Sequence, residues 1–145
     1  MIAEMREGRR RPEAGFTLIE LLVVLVILGL LAAFAAPQVL KYLGSAKRDA
    51  ANAQVQSIAS ILDLYRLEVG RYPPETAGLE ALLVKPDDSP RWNGPYVKKR
   101  DALVDPWGEL FNYRMPGDHG EYDLYSLGAD RAEGGDGEDQ DVTSW

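Results

Sequence analysis

An apolar run from Leu21 to Ala36 constrains this chain more than any other stretch. Its length approaches the roughly 20 residues that a helix needs to cross the hydrocarbon layer, so membrane insertion is the first interpretation. Glu20 lies at the start of the run, and a carboxylate at that depth costs on the order of 3 kcal/mol on insertion scales. No Lys, Arg or His lies within helical reach on the run, so we expect the compensating charge from elsewhere. Cleavage after Gly15 would create a free amine at Phe16 that supplies it.

The segment Gly15-Phe16-Thr17-Leu18-Ile19-Glu20-Leu21 follows an arginine-bearing leader and resembles the prepilin peptidase signal of type IV pilins and pseudopilins. The resemblance implies cleavage between Gly15 and Phe16 and N-methylation of Phe16. It also implies that this amine pairs with Glu20 of a neighbouring subunit during assembly, and buried charges stabilise only when they are paired. Two other interpretations stay open. One is a conventional secretory signal peptide ending near Ala32 to Ala36, and the other is a plain membrane anchor.

The distribution of charge predicts the orientation and the domains. The 145 residues leave room for a membrane helix and one small domain, and the net charge of -7 argues against a nucleic-acid surface. Arginines cluster before the apolar run and acidic residues concentrate in the last third, which predicts a cytoplasmic N-terminus. We therefore predict a single-pass protein of the bacterial inner membrane, with a leader at 1–15, a transmembrane and assembly helix at 16–38, and a periplasmic domain at 39–145.

The helix is predicted to run from Phe16 to Val69. Pro37 removes one backbone donor and crowds the preceding turn, so we expect a kink or a locally melted segment there. Beyond it, apolar residues recur at three- and four-residue steps up to Gly70, which predicts an amphipathic helix. These residues are Ala51, Val55, Ile58, Leu62, Tyr65 and Val69. The segment from Thr76 to Val84 reads as a short helix or a turn-rich stretch.

Two short segments predict an antiparallel hairpin. Leu110 to Met115 and Tyr122 to Leu127 approximate a period-two alternation, and Pro116 to Gly120 lies between them as a turn. A third strand is expected near Tyr96 to Lys98 or at Leu103-Val104. We predict an α+β fold in which the amphipathic half of the long helix packs on this small sheet, followed by a calcium-binding C-terminal loop.

The second half of the chain resembles the major pseudopilins of the bacterial type II secretion system. The resemblance implies a structural subunit that polymerises into the periplasmic pseudopilus and drives protein export across the outer membrane. The implied partners are further copies of the chain, minor pseudopilins, the prepilin peptidase and the inner-membrane secretion platform. The alternative is a type IV pilin or DNA-uptake pilin, although the chain has neither a cysteine for a disulfide loop nor a visible basic stripe. The segments that carry the resemblance are Gly70 to Pro73, Gly78 to Leu82, Trp92 to Tyr96, Asp105 to Gly108, His119 to Leu124 and Trp145.

The tail from Ser126 to Asp141 is the candidate metal site. A small domain without cysteine has little core and usually needs a staple such as a metal. The tail interleaves acidic residues with glycines, and calcium prefers six to eight hard oxygen ligands on such a flexible loop. Composition alone favours a solvated acidic tail, and the ligand spacing is not that of an EF-hand.

The resemblance supplies the ligands that we expect for calcium. They are the Leu127 carbonyl and the carboxylates of Asp130, Asp139 and Asp141. In many relatives the last pair is adjacent, whereas here Gln140 separates the two residues, so Asp136 and Glu138 are kept as substitutes. A third hypothesis is a secreted calcium-binding module with a conventional signal peptide, which the mature N-terminus would distinguish.

Catalysis is not predicted. The chain has one His and no Cys, so it lacks a plausible triad or zinc site. His119 lies in the predicted hairpin turn and is expected to be a surface or capping residue. The glycines near the end lie among acidic residues, which would repel a phosphate. The chain is therefore predicted not to be an enzyme.

Overall fold

The computed structural model describes residues 15–145. Its residues divide into two compact units, Met1–Gln38 and Val39–Trp145. The predicted leader at 1–15 lies, except for Gly15, outside the described residues, so its removal stays a prediction.

One helix dominates the secondary structure. Helix α1 spans Leu18–Val69, a length of 52 residues, and contains Pro37 without losing its helical assignment. Of the two outcomes expected at Pro37, a melted segment is wrong, because a single missing donor does not end a helix that continues for many turns on both sides, and the kink stays a prediction. The N-terminal part of α1 is apolar enough to cross a membrane by length and composition, and none of that segment is buried within the chain.

The amphipathic part of α1 buries the face that the sequence predicts. All six apolar residues of the predicted stripe are buried, and Leu62 and Tyr65 have no exposed surface. Burying a leucine side chain of this kind contributes about 1.5–3 kcal/mol. Helix α1 ends at Val69, and the next residue, Gly70, adopts φ 96° and donates its N–H to the Arg66 carbonyl over 2.7 Å. The left-handed conformation after the last helical turn favours glycine, because glycine has no Cβ that would clash with the backbone.

The sheet is small and antiparallel. Strand β1 spans Asn112–Arg114, β2 spans Asp123–Ser126 and β3 spans Val142–Thr143, in the order β1-β2-β3. The pairing of β1 with β2 confirms the predicted hairpin. The predicted third strand is wrong, because β3 comes from the C-terminal tail, which returns along the free edge of β2. Val104 makes one isolated antiparallel bridge to Leu110, and a single bridge is too short a pairing to form a strand.

The core joins α1 to the sheet and to the connections. A 3-10 helix at Gly78–Leu82 occupies the predicted segment, and a second one spans Arg100–Leu103. Their buried leucines pack with the α1 face and with the sheet residues of one hydrophobic cluster. The predicted fold, a long helix packed on a small antiparallel sheet, is therefore confirmed. The buried residues that complete the cluster are Tyr72, Leu79, Ala81, Leu82, Val97, Leu103, Phe111, Leu124 and Val142.

Candidate functional site

Glu20 takes part in a capping box at the start of α1. Its Oε2 accepts a hydrogen bond from the Thr17 N–H over 3.3 Å, and its own N–H donates to Thr17 Oγ1 over 3.3 Å. This reciprocal pair satisfies backbone donors that the first helical turn leaves unpaired. The carboxylate also lies at the positive end of the helix dipole. Glu20 therefore has a hydrogen-bond partner within its own chain. This capping role was not predicted, although Thr-x-x-Glu is the sequence signature of a capping box.

The predicted processing residues lie just before this cap. Gly15 and Phe16 precede α1, and the Phe16 side chain is 79% exposed. Over residues 15–145, no cation forms an ion pair with Glu20. The pairing of Glu20 with the Phe16 amine of a neighbour stays a prediction.

The acidic tail forms the connection between β2 and β3. The two ends of this connection lie next to each other, because Ser126 pairs with Val142. Within the loop the Ala129 N–H donates to the Glu138 carbonyl over 2.9 Å, so the chain doubles back on itself. Gly128 makes this approach close enough that a Cβ at its position would lie 2.7 Å from the Glu138 carbonyl oxygen. The loop is thus folded locally rather than extended.

Leu127 and Asp141 share a cavity of about 270 Å³ at the strand ends. Asp141 Oδ2 accepts a hydrogen bond from the Gly134 N–H over 3.0 Å. Asp141 Oδ1 is buried and has no hydrogen-bond partner among the residues that the structure describes. A buried carboxylate oxygen without a partner is rare and fits the position of a cation ligand.

The other predicted ligands do not converge on this cavity. Asp130 Oδ1 accepts the Ala132 N–H over 3.1 Å, and neither Asp130 nor Asp139 lines the cavity. Glu138 packs on α1, where a Cβ at position 44 would lie 2.3 Å from its Cγ. From residue 15 to residue 145, no three His, Cys, Asp or Glu side chains come together as a metal-binding group. The structure therefore brings together two of the four predicted positions.

Asp123 and His119 line the same cavity. Buried Asp123 accepts hydrogen bonds from the Asp118 N–H over 2.9 Å and from the His119 N–H over 3.1 Å. Its Oδ2 also lies 3.1 Å from His119 Nδ1. Burial alone would raise the pKa of Asp123, but these hydrogen bonds and the neighbouring imidazole outweigh it and lower the pKa below its ordinary value. The hairpin turn is therefore held by a buried charged carboxylate.

A second buried acid ties the preceding turn to β2. The Gly108 N–H donates to the Asp105 carbonyl over 3.0 Å, which closes a β-turn over the Asp-Pro-Trp-Gly segment. The Asp105 side chain accepts the N–H groups of Trp107 and Glu109, and the Ser126 hydroxyl donates to its Oδ2. The Ser126 contact leaves no signal in the sequence, because it joins segments that are distant in the chain.

Comparisons with protein families then classify the chain. A family model described as a prokaryotic N-terminal methylation motif matches residues 10–36. A second model, described as type II secretion system (T2SS), protein G, matches residues 38–145. The chain belongs to the type II secretion system protein G family. The alternative of a type IV pilin or DNA-uptake pilin has the N-terminal motif in its favour, but the match beyond that motif is to protein G.

Individual relatives agree with this classification. The type II secretion system core protein G of Pseudomonas aeruginosa is 48% identical over 141 residues, which cover 94% of this chain and 98% of the relative. The corresponding protein of Vibrio cholerae is 40% identical over 140 residues, covering 94% of each. The crystal structure of the major pseudopilin from enterohaemorrhagic Escherichia coli matches with a TM-score of 0.59 and 30% identity, covering 70% of this chain and 84% of that one.

Membership of the protein G family confirms several expectations. The resemblance to the major pseudopilins is confirmed, and so is the expectation of a structural subunit rather than an enzyme. An N-terminal apolar helix that carries the methylation motif fits a membrane-anchored pseudopilin. The family also implies assembly into a pseudopilus with other components of the secretion system.

Proposed function

We propose that this protein G chain is a structural subunit that polymerises into the periplasmic pseudopilus of the type II secretion system, and that its polymerisation drives protein export across the outer membrane. One combination of features supports the proposal. The methylation motif covers the start of a helix whose apolar side chains are exposed. Residues 39–145 form a unit with its own buried core. Exposed apolar helices bury their surface when they pack against copies of themselves in a membrane or a filament.

The partners of this subunit are its own copies, minor pseudopilins, the prepilin peptidase and the inner-membrane secretion platform. Its leader lies in the cytoplasm and residues 39–145 lie in the periplasm, which the arginine cluster before the apolar run supports. The chain has no cysteine, so single-cysteine variants report orientation without background. In a strain without prepilin peptidase, an impermeant maleimide should label Ala53→Cys in spheroplasts and Ala3→Cys only after permeabilisation. The reverse pattern would contradict this orientation.

Processing and assembly depend on the N-terminal residues. Cleavage between Gly15 and Phe16 exposes an amine, which pairs with Glu20 of a neighbouring copy and sets the register of the helices. Mass spectrometry of the mature protein should find N-methylated Phe16 as its first residue. A mature chain that begins elsewhere would contradict the proposed class.

Glu20 is tested with two variants that separate its two roles. Glu20→Gln keeps an oxygen that accepts hydrogen bonds but removes the charge, whereas Thr17→Ala removes a capping partner and keeps the charge. We expect Glu20→Gln to insert into the membrane and to form few filaments, and Thr17→Ala to assemble. If Glu20→Gln formed filaments and Thr17→Ala did not, assembly would need the cap and not the charge pair.

Calcium is proposed to hold the acidic loop. Leu127 and Asp141 line the cavity, and the unpartnered Asp141 Oδ1 supports a cation there. Bound calcium would join the loop to the strand ends and keep the domain in one shape for assembly. In detergent, a chelator should lower the melting temperature of the full chain, and calcium but not magnesium should restore it. An unchanged melting temperature would contradict calcium binding.

A further inference from the structure

A single glycine near the start of the second unit is covered by the loop between β2 and β3. Over the described residues 39–50, Gly44 is the only buried residue, and the buried stripe of α1 begins at Ala51, about two helical turns later. The side chain that covers Gly44 is that of Glu138, and a Cβ on residue 44 would overlap it. The loop therefore contacts a part of α1 that the core does not reach.

A second side chain of the loop contacts the next turn of α1. Gln140 Oε1 accepts a hydrogen bond from Arg48 Nη1 over 2.5 Å. Arg48 lies four residues after Gly44, so the two positions are neighbours on one face of the helix. One contact alone would leave the loop free to pivot on the helix. Two contacts on successive turns hold it in one orientation.

The charges at this end of α1 also favour the contact. Three cations lie on the side of the helix that carries Gly44, because each is three or four residues away from it along the chain. They are Lys41, Lys47 and Arg48. Within residues 15–145 none of the three forms a direct ion pair. The carboxylate of Glu138 is placed on this basic side of α1, where opposite charges attract it beyond direct contact.

The backbone of Glu138 is tied to the sheet side of the domain. Its carbonyl accepts the Ala129 N–H over 2.9 Å, and Ala129 follows closely after the end of β2. The same loop is fixed at a further point, where Arg131 Nη2 lies 2.7 Å from Glu109 Oε1. Glu138 thus joins two parts of the domain, because its main chain bonds the end of β2 and its side chain packs on α1.

We propose that residues 137–140 form a strap that fastens the base of α1 to the sheet, and that Gly44 is the seat of the strap because any side chain there would overlap Glu138. With the strap closed, the domain holds α1 from Gly44 onward. With the strap open, it holds the helix only from Ala51 onward, which frees about 10 Å of helix. The freed segment follows the apolar part of α1, so the strap determines how firmly the domain is attached to the part that enters the polymer. This last consequence rests on the proposed polymerisation, whereas the strap itself requires neither polymerisation nor calcium.

Amide hydrogen exchange in the full chain tests the strap, in detergent micelles with a chelator present so that calcium does not contribute. Glu138→Ala/Gln140→Ala removes both contacts and leaves the sequence of α1 unchanged. The control Glu133→Ala removes the same charge from an exposed position of the same loop. In the double variant we expect amides of residues 45–50 to exchange about tenfold faster, and those of residues 55–62 to be unchanged, because local opening governs exchange. Equal exchange in the wild type and the double variant, or an equal increase in the control, would overturn the strap.

The seat is tested by filling it. Gly44→Leu places a side chain where Glu138 packs, and the control Ser45→Leu adds the same side chain at the exposed neighbouring position. We expect a Glu-specific protease to cut after Glu138 several times faster in Gly44→Leu than in the wild type or the control, with the cut after exposed Glu133 as an internal reference. Equal cutting after Glu138 in all three proteins would show that Gly44 is not the seat.

The role in assembly is measured as filament yield at equal membrane levels of each protein. We expect Glu138→Ala/Gln140→Ala to form fewer filaments than the wild type and Glu133→Ala. Faster exchange with a normal filament yield would overturn the role in assembly and leave the strap standing. If the wild type itself forms no filaments, the proposed polymerisation falls and the role in assembly falls with it, while exchange still decides whether the strap exists.

Discussion

The imidazole of His119 lies flat on the indole of Trp145, with ring centroids 3.9 Å apart and planes within 2° of each other. The last residues reach this position because the Ser144 N–H donates to the Leu124 carbonyl over 2.9 Å, while Ser144 Oγ accepts the Leu124 N–H over 3.1 Å. The hairpin turn and the C-terminus therefore close one side of the cavity together. Aromatic pairs of this kind contribute about 0.5–1.5 kcal/mol beyond the area that they bury.

Trp145→Ala should therefore lower the free energy of unfolding by about 1 kcal/mol, because it removes the stacking partner of His119. Trp145→Phe keeps a ring and should lose less. Urea denaturation of the full chain in detergent, followed by far-ultraviolet circular dichroism, measures the difference. Equal stability of Trp145→Ala and the wild type would mean that the stack contributes nothing.

Acid should destabilise the domain through Asp123. The lowered pKa of this buried carboxyl means that its contribution to stability is complete above the ordinary value of 3.8 and is lost as the pH falls through the lower folded value. Melting temperatures of the wild type should therefore drop below about pH 4. Asp123→Asn should be less stable at neutral pH and should show a shallower acid loss, since it has no proton to bind. An identical acid profile in both proteins would assign the loss to other carboxyls.

Leu62 and Leu67 lie on opposite faces of α1 and form a matched pair. Leu62 is completely buried, whereas Leu67 is 82% exposed. Leu62→Ala should cost about 2–5 kcal/mol, because it leaves a cavity in the core, and Leu67→Ala should change the free energy of unfolding by less than about 0.5 kcal/mol. Chemical denaturation of the two variants checks the assignment of the faces. A comparable loss from Leu67→Ala would place that leucine in a contact that the single chain does not contain.

Ser126 should contribute to the free energy of unfolding, because its hydroxyl donates a hydrogen bond to the buried carboxylate of Asp105. Ser126→Ala leaves Asp105 Oδ2 without this donor and should cost about 1–3 kcal/mol. The matched control is Ser60→Ala, which removes an exposed hydroxyl that bonds only the Gln56 carbonyl of its own helix. Thermal melting should separate the two variants clearly, and similar melting temperatures would argue against a role for the Asp105 contact.

Several elements were predictable because their signals are local. The buried stripe of α1 follows from three- and four-residue spacing, and the hairpin follows from alternation on both sides of a turn. The 3-10 helix and the closing turn at Asp105 lie in segments that the sequence marked by turn residues. The third strand was misplaced because β3 has only two residues and pairs with β2 across the acidic loop. Such a short strand carries no periodicity of its own.

The sequence by itself determined the pilin-like class of this protein, because the Gly15-Phe16 junction, Glu20 and the apolar run are contiguous and retain their meaning in an unfolded chain. It also determined which face of α1 is buried, since helical periodicity is a property of neighbouring residues. Only the tertiary structure decided which acids meet. The contact of Asp105 with Ser126 joins a turn to β2, and Leu127 and Asp141 share a cavity because β3 pairs with β2. Such long-range contacts leave no trace in the spacing of residues along the chain.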